Sequence, residues 1–161
     1  LMVPGRGFFL NNELTDFDAQ PRDAEGRLAA NAAGPGKRPR SSMSPTLVFK
    51  KDGRPVMIVG SPGGSKIIGA VLNVIVNVLD YGMTLDEALK SPRVINRDGP
   101  VELEAPLSGN AALKKKLAAQ GLKTELAKPL GNVQAIVFQE GQLIGGSDPR
   151  GNGAAEGYGE F

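Results

Sequence analysis

Apolar and polar positions divide the middle of the chain into two short strands, a glycine-rich turn and a long helix. The apolar runs TLVFK at 46–50 and PVMIV at 55–59 flank KDGR, and Asp52-Gly53 between two such runs indicates a β-hairpin. After the turn GSPGGSK, apolar residues recur at helical spacing over residues 66–80. Because this apolar stripe is wide, we expect a helix that is largely buried.

The residues before this block show little periodicity. GFFL at 7–10 predicts a short buried strand, which runs into the polar stretch NNELTDFD. Residues 18–45 are rich in Pro, Gly, Ala, Arg and Asn. We expect a long loop there, and long loops of this kind are usually functional or disordered.

Two more helices and several strands are predicted downstream. Thr84-Leu85-Asp86-Glu87 has the pattern of a capping box that opens a short helix through Lys90, and Ser108 is expected to start a third helix that runs to Gln120. The segments that read as strands are VELEA at 101–105, which alternates as if half-buried, KTELA, VQAIVF and QLIGG, the last two joined by a turn at Glu140-Gly141. The order predicts a single α+β domain over 1–161, with antiparallel strands.

Composition excludes several classes of site. Hydrophobic residues make up 40% of the 161 residues, which is enough for a real core, and the net charge of +2 is too small to indicate a nucleic-acid partner. The chain has no Cys and no His, so disulfides, thiol nucleophiles, Ser-His-Asp triads and the usual zinc sites are excluded. A catalytic base in this chain has to be a carboxylate or an amine. We expect no metal ion, no cofactor and no membrane span.

The glycine-rich turn at 60–66 admits three interpretations. It fails the phosphate-loop pattern, because Ser65 stands where the second glycine is needed and Ile67 where the magnesium-binding hydroxyl is needed. Gly63 and Gly64 could serve only for backbone freedom. They could also form an oxyanion hole, because without a Cβ another atom can approach their N–H groups closely, and the following helix adds its positive end.

Two further stretches carry dense polar side chains. SSMSP at 41–45 offers three hydroxyls just before a strand. Since no His is present to activate a serine, these hydroxyls are better suited to hold a carboxylate than to act as a nucleophile. Taken alone, however, the stretch favours ordinary loop and turn chemistry by Ser. NNELTDF at 11–17 places Glu13 and Asp16 three residues apart. Such a pair can bind an ammonium group, work as acid and base, or cap a turn.

Taken in order, LNNELTDF, GKRPRSSMSP and VGSPGGSKII resemble the small subunit of γ-glutamyltransferases, which are N-terminal nucleophile hydrolases. The likeness continues through LDYGMTLDEALKSPRV at 79–94 and GGSDPRGNGAAEGY at 145–158. The resemblance implies part of a four-layer αββα sandwich. It also implies that the chain is the C-terminal part of that small subunit.

The resemblance accounts for the missing His. The family's nucleophile is the hydroxyl of an N-terminal Thr exposed by self-cleavage, and the α-amino group of that Thr serves as base. The γ-glutamyl group passes to the Thr and then to water, an amino acid or a peptide. Gly63 and Gly64 match the pair whose N–H groups form the family's oxyanion hole.

The resemblance also implies donor-binding roles. Ser41 and Ser42 match the pair that grips the donor's α-carboxylate. Asp16 matches the carboxylate that takes the donor's α-amino group, and Glu13 matches a neighbour with the same duty. Arg40 stands where an apolar residue is common in the family, and its charge either adjusts substrate choice or is solvated.

The family's Thr and other donor-binding residues are expected upstream of this chain. We therefore expect the chain alone to be inactive and to have the large subunit of the same precursor as its partner. We also expect a small glutathione-like donor, self-association of the isolated chain through exposed apolar surface, and a periplasmic or secreted location. The alternatives are an acylase with a glutaryl or poly-γ-glutamyl donor, a small-anion binding module without catalysis, or a purely structural partner.

Overall fold

The structure, a computed structural model, describes residues 2–7 and 10–157. The chain falls into two compact units, Leu1–Ser41 and Ser42–Phe161. The strand predicted for GFFL includes residues 8 and 9, so this prediction lies outside the described residues. The prediction that residues 1–161 act as one domain stays a prediction.

In the first unit, the described residues form turns and bends and one short 3-10 helix, Glu13–Asp16. Over residues 18–45 the structure has an isolated β-bridge between Arg22 and Leu28 and no helix or longer strand, so the long loop predicted there is confirmed. Asn31 ties this loop together: its Nδ2 donates to the carbonyl oxygen of Asp16 at 2.7 Å, and its Oδ1 accepts from the backbone N–H of Arg40 at 2.8 Å. The Asn31 side chain thus provides hydrogen-bond partners for backbone groups that are not paired in a helix or a β-sheet.

The second unit contains the regular elements. In chain order they are β1 (Thr46–Phe49), β2 (Pro55–Gly60), a 3-10 turn (Gly64–Lys66), α1 (Ile67–Leu79), α2 (Leu85–Lys90), β3 (Val94–Ile95), β4 (Val101–Leu103), α3 (Ala105–Ser108), α4 (Ala111–Ala119), β5 (Thr124–Leu126), β6 (Gln134–Gln139) and β7 (Gln142–Ser147). Among the helices that are described, none combines the length and the apolar character that a membrane crossing requires.

Four of the strands form an antiparallel sheet in the order β1-β2-β6-β7, and the other three form a smaller sheet in the order β3-β4-β5. Both predicted hairpins are confirmed. Gly53 has φ +84° in the first turn. In the second turn, Glu140 and Gly141 have φ +51° and +79°, as a two-residue type I′ turn requires. In the smaller sheet β4 and β5 run parallel, so the prediction of antiparallel strands holds only in part.

The core lies between one face of the larger sheet and the helices α1 and α2. Its buried apolar members are Met57, Val59, Ile67, Ala70, Val71, Val74, Leu85, Ala88, Leu89, Ile95, Leu130, Val133 and Ala135. On the other side of α1, Ile68 and Leu72 remain 57% and 56% exposed. The prediction of a largely buried helix is therefore wrong for one side, because the larger sheet, α2 and β3 of the smaller sheet leave the face of Ile68 and Leu72 uncovered.

The predicted capping box of α2 is confirmed. The Thr84 hydroxyl oxygen accepts from the Glu87 N–H at 3.3 Å, and the Glu87 carboxylate accepts from the Thr84 N–H at 2.9 Å. The third helix differs from its prediction. Ser108 ends the short helix α3, and α4 starts after Asn110, whose side chain accepts from the Leu113 N–H at 2.9 Å. Asn is as good an N-cap as Ser, and the cap sets the boundary.

Strand β4 also differs from its prediction. VELEA alternates apolar and acidic residues, but Val101, Glu102 and Leu103 are all buried. β4 is the central strand of its sheet, with β3 on one side and β5 on the other. A buried carboxylate here is tolerated because Lys66 pairs with it.

Candidate functional site

The glycine turn links β2 to α1 and leaves two backbone donors unused. Gly63 has φ +135° and Gly64 has φ +58°, conformations that residues with a Cβ rarely adopt. Within the described residues, no acceptor is paired with the N–H of Gly63 or Gly64. Two adjacent free N–H groups in front of a helix can stabilise a negative charge that approaches the turn.

Side chains of β4 and of the loop that precedes it hold the far end of this turn. The ammonium group of Lys66 pairs with the Glu102 carboxylate, and Arg97 donates to the Ser65 hydroxyl as well as to Glu102 at 3.4 Å. The hydrogen bond and charge of Lys66 keep the pKa of Glu102 below its ordinary value, although burial opposes this. Lys66 is thus already engaged in an ion pair with Glu102.

A loop over residues 130–133 packs against the turn from the other side. The backbone N–H of Asn132 donates to Ser61 Oγ at 3.0 Å, and the Ser61 hydroxyl donates to the carbonyl oxygen of Pro62 at 2.7 Å. A Cβ placed on Gly63 would lie 3.7 Å from the Cα of Gly131. The shape of the turn thus depends on residues about seventy positions further along the chain.

Four charged side chains form a buried ion network behind that loop. Arg93 and Asp148 are each only 1% exposed, and Arg93 Nη2 lies 2.6 Å from Asp148 Oδ2. Arg150 lies 3.0 Å from Asp148 Oδ1 and 2.5 Å from Glu104 Oε2. Two cations and two anions leave no net charge, so each buried charge has a hydrogen-bonded partner of opposite sign.

The buried ion network fixes the backbone of the loop over 130–133. Glu104 Oε1 accepts from the Leu130 N–H at 2.8 Å, and Arg93 Nη1 donates to the Leu130 carbonyl at 2.7 Å. At the other end of the loop, Asp148 Oδ2 accepts from the Val133 N–H at 2.8 Å. The loop that supports the glycine turn is therefore pinned at both ends by ionised side chains.

These bonds lower the pKa values of both carboxyls. Burial raises the pKa of Asp148, but the N–H groups of Arg150 and Val133 and the guanidinium of Arg93 outweigh it, so the pKa lies below its usual value. Burial also raises the pKa of Glu104, but hydrogen bonds from the Arg150 side chain and the Leu130 N–H outweigh it, so this pKa too lies below its usual value. Both groups stay ionised at neutral pH because hydrogen bonds to the charged form favour that form.

The acidic pair lies in the first unit. Glu13 and Asp16 share one turn of the 3-10 helix. Glu13 Oε1 is buried without a hydrogen-bond partner among the described residues. Through Asn31 the segment that carries Asp16 is joined to Arg40, the residue before Ser41, and the Arg40 side chain is exposed.

The predicted site residues fall into two sets, one in each unit. Glu13, Asp16 and Ser41 belong to the first unit, and Ser42, Gly63 and Gly64 belong to the second. No three carboxylates of the described residues gather as a metal site would require.

Sequence reasoning assigned no role to four residues that shape these sets. They are Asn31, Ser61, Glu104 and Asp148. Asp148 lies in the motif GGSDPRGNGAAEGY and Ser61 in GSPGGSK, so position in a motif was the available signal for these two.

The outer face of the larger sheet, the face turned away from α1, is apolar and open. Leu47 opposes Ile58 and Ile58 opposes Ile136 across the strands, so the three side chains share this face, and Leu47 is 57% exposed. A groove of about 1390 Å³ crosses it, lined in part by Ile58, Ile136 and Leu143 and by the segment 154–157. Apolar patches of this kind mark surfaces that another element covers.

Comparison with known proteins agrees with these observations. A family model described as gamma-glutamyltranspeptidase matches residues 1–158. The chain is 44% identical over 149 residues to the glutathione hydrolase proenzyme of Escherichia coli (strain K12), which covers 89% of this chain and 26% of the relative. It is 36% identical over 155 residues to the Acylase ACY 1 proenzyme of Pseudomonas sp. (strain SE83), covering 95% of this chain and 26% of the relative. The chain thus spans about a quarter of the length of these curated relatives.

A solved structure supports the fold. The chain superposes on gamma-glutamyltranspeptidase from Pseudomonas nitroreducens complexed with L-DON with a TM-score of 0.75 at 34% identity, covering 98% of this chain and 86% of the other. The α+β fold is therefore the partial αββα sandwich of N-terminal nucleophile hydrolases, as predicted.

Proposed function

Since the chain belongs to the gamma-glutamyltranspeptidase family, we propose that it is the C-terminal part of a small subunit in an enzyme that moves γ-glutamyl groups. The donor is a glutathione-like compound, and the acceptor is water, an amino acid or a peptide. The rest of the enzyme comes from the same precursor, because the relatives are proenzymes about four times as long as the matched part.

The observation that carries this proposal is the pair of unused N–H groups at Gly63 and Gly64. Acyl transfer passes through a tetrahedral intermediate whose oxygen becomes negatively charged. Preorganised backbone donors stabilise that oxygen more than the ground-state carbonyl, and losing one donor costs about 2.7–4 kcal/mol. In this chain they act as the oxyanion hole, and the nucleophilic Thr comes from residues outside it.

The donor's two charged groups require partners of different kinds. Ser41 and Ser42 supply hydroxyls for the α-carboxylate, and Asp16 and Glu13 supply carboxylates for the α-ammonium group. The buried and unpaired oxygen of Glu13 supports this assignment, since a buried carboxylate oxygen without a donor is costly unless a ligand provides one. A donor whose α-carbon is held through both of its charged groups presents its γ-carbonyl, at the other end of the side chain, in one orientation.

The large subunit of the precursor covers the outer face of the larger sheet in this proposal. An αββα sandwich buries two sheets face to face, and the apolar groove over Ile58 and Ile136 has the character of such a buried face. The isolated chain therefore exposes this surface and self-associates through it.

A second candidate is supported by the match to an acylase proenzyme. An acylase whose donor has a glutaryl group would use the same glycine turn but would have no ammonium group to bind. The two candidates differ in their need for Asp16, and a comparison of two donors separates them. A bare-anion module is less well supported, because Lys66 is already paired with Glu102.

The test compares donors in the full-length precursor that contains this chain. Losing a hydrogen bond to a charged group costs about 1.5–3 kcal/mol, so Asp16→Ala should lower kcat/KM for a γ-glutamyl anilide by roughly 10- to 150-fold. A glutaryl anilide, which lacks the α-amino group, should be affected little.

Glu25→Ala is the control, because this carboxylate lies in the same unit and pairs with the exposed Arg27. Glu25→Ala should leave kcat/KM unchanged for both donors. Equal losses on the two donors in Asp16→Ala would mean that Asp16 is structural, and the γ-glutamyl assignment would then be wrong.

A further inference from the structure

The Pro62–Gly63 peptide group decides where the first oxyanion donor points. In a trans peptide the carbonyl oxygen and the N–H are coplanar and point in opposite directions. The carbonyl of this peptide belongs to Pro62 and its N–H belongs to Gly63. Whatever fixes the Pro62 oxygen therefore also fixes the direction of the Gly63 N–H.

Backbone conformational preferences alone do not prevent this peptide from rotating. A peptide flip changes ψ of the residue before it and φ of the residue after it. The residue after it is Gly63, and glycine populates positive and negative φ about equally. A flip would turn the Pro62 oxygen toward the place where a negative charge has to be stabilised, so the turn needs a restraint.

Ser61 supplies that restraint. Its hydroxyl donates to the Pro62 oxygen at 2.7 Å, and its Oγ accepts from the Asn132 N–H at 3.0 Å. The hydroxyl is therefore held on its acceptor side by the backbone of another segment and points its proton at the peptide that carries the Gly63 N–H.

The anchor behind Ser61 is rigid. Asn132 lies in the loop whose ends are fixed by the buried ion network, through Glu104 to Leu130 and through Asp148 to Val133. These bonds involve ionised side chains in the interior, which are the stronger class of hydrogen bond. Ser61 thus connects the buried ion network to the mouth of the site.

We propose that Ser61 is a positioning residue, which holds the Pro62–Gly63 peptide so that the Gly63 N–H faces the developing oxyanion. This proposal rests on the proposed oxyanion role of Gly63. Ser61 touches neither donor nor nucleophile in this scheme. Its effect appears in the transition state, when charge reaches the oxygen, and much less in the binding of the donor.

The experiment uses Ser61→Ala and Ser61→Thr in the full-length enzyme, with a γ-glutamyl anilide as donor. Ser61→Ala should lower kcat roughly 10- to 100-fold, because complete loss of one oxyanion donor costs roughly 100- to 1,000-fold, and should leave KM nearly unchanged. Ser61→Thr retains the hydroxyl and should restore most of kcat. Ser108→Ala is the control, because its hydroxyl also donates to a nearby carbonyl, that of Ala105, far along the chain from the turn.

A second measurement reports on the oxyanion itself. A donor analogue with a boronic acid in place of the reacting carbonyl becomes a tetrahedral anion when the enzyme's nucleophile adds to boron. The affinity of the enzyme for this analogue should fall in Ser61→Ala in parallel with kcat, while its affinity for the unreacted donor should not fall. If Ser61→Ala is too unstable to purify, Ser61→Val against Ser61→Thr makes the same comparison between side chains of similar shape.

The outcomes separate the two proposals. No turnover of γ-glutamyl donors by the wild-type enzyme would overturn the proposed function. A wild-type enzyme that is active, with Ser61→Ala retaining kcat and boronate affinity, would overturn the role of Ser61 alone. If Ser61→Ala lowers kcat, raises KM and lowers the melting temperature together, and Ser61→Thr restores none of them, Ser61 is only structural.

Discussion

Gly131 is the residue at which the loop over 130–133, helix α1 and the glycine turn meet. It has φ +80°, and a Cβ built on it would lie 2.5 Å from the Cβ of Ala70 and 3.1 Å from Ser61 Oγ. The close approach lets the loop backbone reach Ser61, so glycine is required here both for its conformation and for its size. The shape of the glycine turn therefore depends on the absence of a Cβ at Gly131, a residue far from the turn in sequence.

Gly131→Ala should destabilise the protein by about 2–5 kcal/mol, since the left-handed conformation costs a Cβ-bearing residue about 1–2 kcal/mol and overpacking adds about 1–3 kcal/mol. Gly53→Ala is the matched control: Gly53 has φ +84°, and nothing lies within 4 Å of a Cβ placed there. Urea denaturation of the wild type and of both variants measures the loss in free energy of unfolding at each position. Similar losses at both positions would mean that crowding at Gly131 is relieved without cost.

Helix α2 shows how a short element is kept at one place in the fold. Six residues are too few for a helix that is stable by itself, so the capping box at Thr84 and Glu87 and the burial of Leu85, Ala88 and Leu89 have to hold it. The residues that follow α2 deliver Arg93 to the buried ion network, and the Leu89 carbonyl accepts from Arg150 at 2.8 Å. The position of α2 thus affects the support of the glycine turn.

Removing the cap should loosen this element first. Thr84→Ala should cost about 0.5–2 kcal/mol of stability, because the N–H of Glu87 loses its acceptor, and amide hydrogen exchange in α2 should speed up more than in β2 or β6. Thr84→Ser keeps the hydroxyl and should behave like the wild type. Faster exchange spread evenly over all elements would argue against a local role for the cap.

For the second unit as a whole, the buried ion network makes stability depend on pH. The pKa values of Asp148 and Glu104 are lowered from their ordinary values of 3.8 and 4.5 in the folded state. The unfolded chain therefore binds more protons than the folded chain once the pH approaches these ordinary values. The stabilisation is complete above them and is lost as the pH falls through the lower, folded pKa values.

We expect the free energy of unfolding to be nearly constant from neutral pH down to about 5 and to fall steeply below about 4.5. Asp148→Asn should be less stable at neutral pH and should have a shallower acid limb, since one of the titrating carboxyls is gone. Glu25→Gln, an exposed carboxylate, should leave the curve unchanged. Denaturation curves at a series of pH values provide the measurement, and an unchanged acid limb in Asp148→Asn would contradict the assignment.

Local chemistry made much of the second unit predictable from sequence. The hairpin turns at Gly53 and at Glu140-Gly141, the capping box of α2 and the apolar spacing of α1 depend on residues within four positions of one another, so a pattern in the chain is enough to identify them. The site residues Glu13, Asp16, Ser41, Ser42, Gly63 and Gly64 were nominated by motifs that match a family, and their roles stay predictions.

What no pattern could supply are relationships over long separations. Ser61 and Asn132 are 71 positions apart and Glu104 and Arg150 are 46 apart, and each pair meets only because the sheet and helices bring distant segments together. Burial was decided in the same way: β4 is buried because it is a central strand, and one side of α1 is exposed because the elements packed against the helix leave that face uncovered. Sequence by itself determined the local elements and the chemistry that the chain carries. The tertiary structure decided which of its charges are buried and paired, and what holds the glycine turn, because both depend on packing between segments that have no local relation in the chain.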